Sequence, residues 1–303
     1  NWECIIVDDG STDESISLIR KFVAKDDRFR LEFRQRLPKG AGTCRNIAVH
    51  LSKAKYVIFL DTDDVLEPFC LTQRVKCMEG KSTLDFSIFK SSLFKKELND
   101  MGKVWNLENE HDALTRILYS DGICQCTGVI FKLDFLKKIG EWDESLFIWQ
   151  DIDLMIRSFS YFTAYEVFFS LPADLNIRVV ESSLSRSNYY ALEKLLSRYL
   201  VIRNTLILFS KLNFKLYLSE SKYFAVPVFF EFLKTRNFGF ALEILNSLKK
   251  YGIISEVEYV SLKRCYYLNL AHLVRLPFVS SYNLKINLKF MKGSSIGKLS
   301  SDA

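Results

Sequence analysis

The sequence predicts an α/β fold, a mostly parallel sheet flanked by helices, followed by a helical C-terminal region. Three observations predict it. Short apolar runs alternate with amphipathic segments through the first half of the chain. Two of those runs lead into clusters of aspartates, and beyond about residue 187 the pattern is helical throughout. The 303 residues, 49% hydrophobic and 26% charged, suffice for one large or two modest cores and exclude a disordered or fibrous chain. No run approaches the ~18 uninterrupted apolar residues of a spanning helix. The nearest, Tyr199–Ile202 and Val226–Phe230, are soon broken by Arg203 and Glu231.

The elements follow in order. Glu3–Val7 is a short apolar strand that Asp8-Asp9-Gly10-Ser11 stops. Ser11-Thr12-Asp13-Glu14 offers capping side chains to a helix carrying Ile16, Ile19, Phe22 and Val23. A strand near Arg30–Phe33 comes next, and after the Gly40-Ala41-Gly42 loop a helix carries Ile47, Ala48 and Leu51. Tyr56–Leu60 is the strongest strand pattern and runs into Asp61-Thr62-Asp63-Asp64. Strand alternating with helix at this spacing implies crossover connections and parallel pairing. Ligands of such sheets gather at the carboxyl ends of strands, where both acidic clusters fall. Phe86–Phe89 and Gly128–Phe131 read as further strands, and residues 149–161 and 188–210 as helices. The expected domains are residues 1–187 (the sheet and its chemistry), 188–290 (a helical, basic and aromatic region) and 291–303 (a flexible tail). The chain starts without Met and enters a strand almost at once, so a truncated N-terminus is expected.

The net charge of +6 is uneven. From residue 204 onward there are 14 Lys and Arg against 6 Asp and Glu, while residues 1–203 carry 28 against 30. The lysines and aromatics of the rear half fit a helical bundle with solvated lysines or a face resting on a membrane surface. No nucleic-acid module accompanies them, so nucleic acid is not an expected partner. The seven scattered cysteines, without a secretory signal, argue against a disulfide framework and for a reducing, cytoplasmic setting. Cys124-Gln125-Cys126 alone is poor support for zinc.

The chemistry sits in three acidic zones. Asp61, Asp63 and Asp64 repel one another unless compensated, and a hard divalent cation such as Mn²⁺ or Mg²⁺ resolves the conflict. The plainer alternative is a strand-ending turn with Asp64 capping the next helix. Asp8-Asp9-Gly10-Ser11 is a second ligand loop, a tight turn with an N-cap, or both at once. In Lys39–Asn46 the third glycine of a dinucleotide fingerprint is replaced by Arg45, which suits a phosphate or a plain helix cap. Asp151 and Asp153 cannot share one helical face, so one is free to act as a base while the other caps a helix or pairs with Arg157. Trp142 and Trp149 suit sugar stacking on the acceptor side or the core. His50, His111 and His272 lie far from every motif.

Taken together these pieces resemble the family 2 glycosyltransferases of the GT-A fold, which build bacterial surface polysaccharides and lipooligosaccharides. The resemblance rests on Trp2–Asp13, Gly40–Asn46, Phe59–Asp64, Gly140–Glu144 and Gln150-Asp151, and extends over about residues 1–185. It implies a metal-dependent inverting transfer of a sugar from a nucleotide donor, UDP-linked by expectation, to a saccharide or lipid-linked acceptor. In that scheme Asp9 holds the base and Asp8 its loop. Asp61 and Asp63 meet the nucleotide, Asp63 and Asp64 the metal, and Arg45 the diphosphate. Asp151 matches the general base.

This sequence departs from the family in three places. It lacks the opening strand and its nucleotide-contacting loop, has Gln150 where the family usually has Glu, and has Val180 where a His often follows Arg178 by two. Neither a Gln-x-x-Arg-Trp motif nor a membrane span is present, which argues against a processive synthase. The competing readings are a nucleotidyltransferase on a related sheet and an inactive scaffold that keeps the fold.

Overall fold

The computed structural model describes residues 1–161, 163–180, 183, 187–273 and 276–292. Along the chain the elements run β1 (Cys4–Asp8), α1 (Ser15–Val23), β2 (Phe29–Phe33), α2 (Ala41–Leu51), β3 (Tyr56–Ile58), β4 (Val65–Leu66), α3 (Cys70–Gly80), β5 (Phe86–Phe89), β6 (Ser91–Phe94), β7 (Lys103–Trp105) and α4 (Ala113–Leu118). After a single 3-10 turn at Cys126–Gly128 come β8 (Val129–Lys132), α5 (Leu133–Lys138), α6 (Gln150–Ser160), β9 (Tyr165–Phe168) and β10 (Leu175–Arg178). Among the described residues six helices follow: α7 (Leu192–Lys211), α8 (Lys215–Glu220), α9 (Lys222–Lys234), α10 (Phe238–Lys250), α11 (Glu256–Leu270) and α12 (Pro277–Leu288).

The chain divides into two compact units. The first holds residues 1–103 and 124–178, and the second residues 104–123 and 179–303. In the first, β1 and β2 pair in parallel across the α1 connection, as a strand–helix–strand unit requires. A second sheet runs β3-β8-β5-β9, and in a third β10 lies between β4 and β6. β5 with β9 and β10 with β6 are parallel, whereas β8 is antiparallel to both β3 and β5, and β10 to β4. The α/β organisation is the expected one, but the pairing is mixed rather than mostly parallel. β8 is reached from the 104–123 excursion and not from a crossover helix, so nothing holds it parallel.

All four residues of β5 are buried, the pattern of a strand covered on both faces. Met78, Leu84, Phe89 and Ile130 form a core cluster under it, with Tyr56, Ile58 and Phe168 packed alongside. Phe86 stacks between Phe135 (5.7 Å) and Tyr165 (5.2 Å).

The expected first domain, residues 1–187, is corrected on two counts. Its boundary falls at Arg178, and residues 104–123 leave it for the helical unit. The physical reason is α4, buried at every position. Its apolar face packs against α8 and α9, and Tyr119, just past its end, stacks edge-on with Tyr223 (5.3 Å) and donates its hydroxyl to Glu220. In the same unit Ser255 and Glu258 close a reciprocal capping box at the start of α11. The expected flexible tail lies, from residue 293 on, outside the described residues. Among the described residues no helix is long and apolar enough to cross a membrane.

Candidate active site

The site is built around the first turns of α2. Gly40, at φ 138° in the left-handed region, lets the chain turn into this helix. Consecutive side chains of α2 then reach opposite ways. Cys44 lies against Asp9, and its thiol is pushed up to about 11 by burial, reinforced by the Asp9 carboxylate. Arg45 lies against Asp61, with Nη2 2.6 Å from Oδ1, and Nη1 donates to Gln150 Oε1 at 3.2 Å. Its guanidinium covers the Trp142 ring at 4.5 Å. One helical turn therefore borders both the Asp8-Asp9 loop and the Asp61 loop.

At the end of β1, Asp8 is buried, and its carboxylate accepts the backbone N–H of Gly10 (2.9 Å) and of Ser11 (3.1 Å). Bonding to Ser11 holds its carboxyl below the usual range. Asp8 is thus the brace of this loop, and Asp9, next in sequence, turns out to pair with Arg34 from just after β2. Arg34 had no signal in the sequence beyond its charge.

The second acidic loop splits three ways. Asp61 pairs with Arg45 and accepts a weak contact from Cys126 Sγ at 3.6 Å. Asp63 is exposed, and among the described residues its carboxylate accepts no hydrogen bond, although its carbonyl takes Arg178 Nε at 3.3 Å. Asp64, expected on the metal beside Asp63, is instead taken up internally. It accepts Arg178 N (3.1 Å), Thr127 Oγ1 (3.3 Å) and Gln125 Nε2, tying β10 and the 125–127 turn to this loop. Burial raises its carboxyl to about 6; the Arg178 N–H opposes the rise, and the charges of Asp61 and Asp63 add to it. Asp64 caps no helix, since α3 starts only at Cys70.

Asp151 and Asp153 take separate duties in the first turn of α6. Asp153 pairs with Arg157 at 2.7 Å, and Arg157 in turn donates to the carbonyls of Ile139 and Glu141. Asp151 is half-buried, and its Oδ1 accepts the Ile152 N–H at 2.9 Å. Burial pushes its carboxyl up, with Arg45 opposing the rise and Asp61 adding to it. Asp151 therefore shares an electrostatic neighbourhood with Arg45 and Asp61, although 90 residues separate it from Asp61 in sequence.

The loop before α6 is stitched to α2 by Asn46. Its amide receives Trp142 N (3.0 Å) and donates to Trp142 O (2.9 Å) and Glu144 Oε1 (2.8 Å). Arg36 closes the other side of Glu144 at 2.5 Å and holds that carboxyl down to about 2. Trp142 was expected on the acceptor side, and this is corrected. The residue is 2% exposed, packs edge-on against Phe59 at 5.0 Å and lies under Arg45, so it presents no free face to a sugar. Trp149 is half-buried, at a left-handed φ of 62° where the chain enters α6. Sequence reasoning also missed Arg74. It is fully buried, bonded through Nε and Nη2 to Asp174 (2.9 and 2.7 Å) and through Nη1 to Thr127 O (2.6 Å), directly behind the site.

Residues 1–140 match the family described as Glycosyl transferase family 2. These residues belong to that family. The family 2 match ends before Asp151, so the base candidate lies beyond it. An uncharacterized glycosyltransferase of Methanocaldococcus jannaschii is 27% identical over 154 residues, covering 50% of this chain and 52% of its own length. One from Haemophilus influenzae is 41% identical over 66 residues, 22% of this chain and 26% of its own. The chain thus spans about half, or less, of these relatives. Among solved structures, that of S. aureus TarS 1-349 in complex with UDP-GlcNAc aligns with a TM-score of 0.60 at 17% identity, covering 96% of this chain and 83% of that one. At that identity the likeness establishes the fold, which is the GT-A type expected of family 2.

Proposed function

We propose that this family 2 chain is an inverting glycosyltransferase that moves one sugar from a UDP-linked donor to a saccharide or lipid-linked acceptor in cell-surface polysaccharide synthesis. The observation that carries the reading is the position of Arg45, bonded to Asp61 of the second acidic loop and to Gln150 of α6, whose charge also reaches Asp151 beside it. The binding of UDP-GlcNAc by TarS, a protein of like fold, supports a UDP donor.

Among the described residues no three His, Cys, Asp or Glu side chains meet closely enough to hold a cation alone. The donor set fits a hard ion that shares its coordination with substrate. Asp63 offers an exposed carboxylate without a hydrogen-bonded partner among the described residues, and Mg²⁺ or Mn²⁺ keeps positions for phosphate oxygens. When bound there, the ion supplies charge neutralisation to the diphosphate leaving group.

The chain's own groups do the rest. Asp9 accepts from the nucleotide base once released from Arg34, while Asp8 keeps the loop fixed through Gly10 and Ser11. Arg45 adds a second positive charge near the diphosphate, aimed before the reaction rather than reorganised during it. Asp151 takes the proton from the acceptor hydroxyl at a carboxylate oxygen, and burial makes it a stronger base than an exposed aspartate. Trp149 lines the acceptor side. A cytoplasmic setting accords with the need for nucleotide sugars.

The test is a screen of UDP-sugars with and without Mn²⁺ that follows both UDP and pyrophosphate. Metal-stimulated UDP release with sugar transfer is expected, and chelation should abolish it. Pyrophosphate release would replace this reading with nucleotidyl transfer, and no saturable UDP binding would replace it with a scaffold.

A further inference from the structure

From Tyr259 to Ser301 the chain carries seven Lys or Arg and no Asp or Glu, the longest stretch of the sequence without an acidic residue. The structure shows what that run builds. On α12, Val279, Asn283 and Ile286, with Phe290 just beyond, face inward and are buried. The opposite face presents Leu284 and Leu288, 58% and 53% exposed, four residues apart at its crest, with Phe278 at 70% on its shoulder. Lys285 and Lys289 stand beside them, both exposed. Among the described residues neither lysine meets an acidic partner, in contrast to Lys222 and Lys249, which pair with Glu258 and Glu256 at and near the start of α11. Arg264 of α11 lies over the Tyr282 ring of α12 at 5.3 Å, extending the positive rim onto the neighbouring helix.

We infer that the outer face of α12 is a docking surface for an anionic lipid bilayer, with Phe278, Leu284 and Leu288 entering the headgroup–acyl boundary and Lys285, Lys289 and Arg264 meeting lipid phosphates. The charge selects a negative partner, and the exposed apolar crest selects one with an oily interior. An exposed apolar crest flanked by basic side chains matches the headgroup–acyl boundary of such a bilayer, where leucine and phenylalanine meet acyl chains and lysine meets phosphate. A nucleic acid would satisfy the lysines but leave two leucines and a phenylalanine against sugar and phosphate. The inference is independent of the catalytic reading, because no residue of the candidate active site takes part.

The experiment is cosedimentation of the full chain with vesicles of phosphatidylcholine alone or with one-third phosphatidylglycerol. Binding is expected to the anionic vesicles only, and to weaken with salt. Each basic residue near such a surface contributes about fivefold, so neutralising two in Lys285→Gln/Lys289→Gln should weaken partitioning about 30-fold. Leu284→Ser/Leu288→Ser should weaken it comparably, with an unchanged melting temperature because both positions are solvent-facing. Wild-type binding equal on neutral and anionic vesicles, or none, would overturn the inference. So would a serine variant that binds like wild type, which would mark a purely ionic surface. Self-association lost in the serine variant, without vesicle binding, would assign the face to a second copy of the chain.

Discussion

At the scale of single residues, the acidic loop illustrates how neighbours in sequence part company in space. Asp63 and Asp64 are adjacent, yet one is exposed and without a hydrogen-bonded partner among the described residues while the other receives three donors from two other segments. Asp63→Asn should therefore change stability by less than ~0.5 kcal/mol while removing Mn²⁺-dependent UDP binding, read by calorimetry. Asp64→Ala should do the reverse, costing about 1–3 kcal/mol in denaturant unfolding because buried donors lose their acceptor. Asp64 also has a pH signature. Its folded carboxyl titrates at about 6, above the unfolded value of about 4. The folded state holds the extra proton, so this contribution is fully present below pH 4 and is lost as pH rises through 6. In metal-free protein, unfolding curves of wild type should show that decline and those of Asp64→Asn should not. Asp151 titrates on the same side of normal, and a base works only when ionised. Turnover should thus rise with pH through its elevated value and then level off, while Asp151→Asn should lose roughly 10²–10⁴ in rate with donor affinity retained. A variant that still turns over at the wild-type rate would remove Asp151 from the role of base.

At the scale of elements, the site is held from behind by an ion pair that reaches no solvent. Arg74 of α3 and Asp174, just before β10, are both 0% exposed, and the same guanidinium fixes the carbonyl of Thr127 in the turn that carries Cys126 and Gln125. Removing one partner strands the other as an uncompensated charge. Arg74→Met is expected to lower unfolding free energy by about 3–5 kcal/mol, and Arg74→Met with Asp174→Leu by distinctly less, both measured in urea. Gln150 joins elements in a gentler way. Its amide accepts from Arg45 and donates to Leu146 O at 2.6 Å, two opposite duties that a carboxylate in that place could not perform together. The neutral residue at this position is thereby matched to the loop it closes.

At the scale of the whole molecule, the two units are not two consecutive stretches of chain. α4 belongs to the helical unit by packing and to the α/β unit only by sequence position. A chain ending at Arg178 in which a short Gly-Ser linker replaces residues 104–123 should be soluble and monomeric by gel filtration. One covering residues 1–187 unaltered should aggregate, because Leu114, Ile117 and Leu118 then lack their cover. Much was legible beforehand: β1, α1, β2, α2, β5, α6 and α7 lie within a few residues of their expected places, because each carries its own periodicity or a run of apolar residues. β4, β6, β9 and β10 were not read, being two to four residues long with no alternation to mark them. The same divide runs through the site. Sequence alone determined which residue types stand at strand ends and helix starts, since turns, caps and apolar periods are local properties of a chain. Only the tertiary structure decided that Arg45 joins Asp61 near Asp151, that Trp142 is core and that Asp64 is bound internally. Those outcomes depend on burial and on partners tens of residues away, which no local pattern encodes.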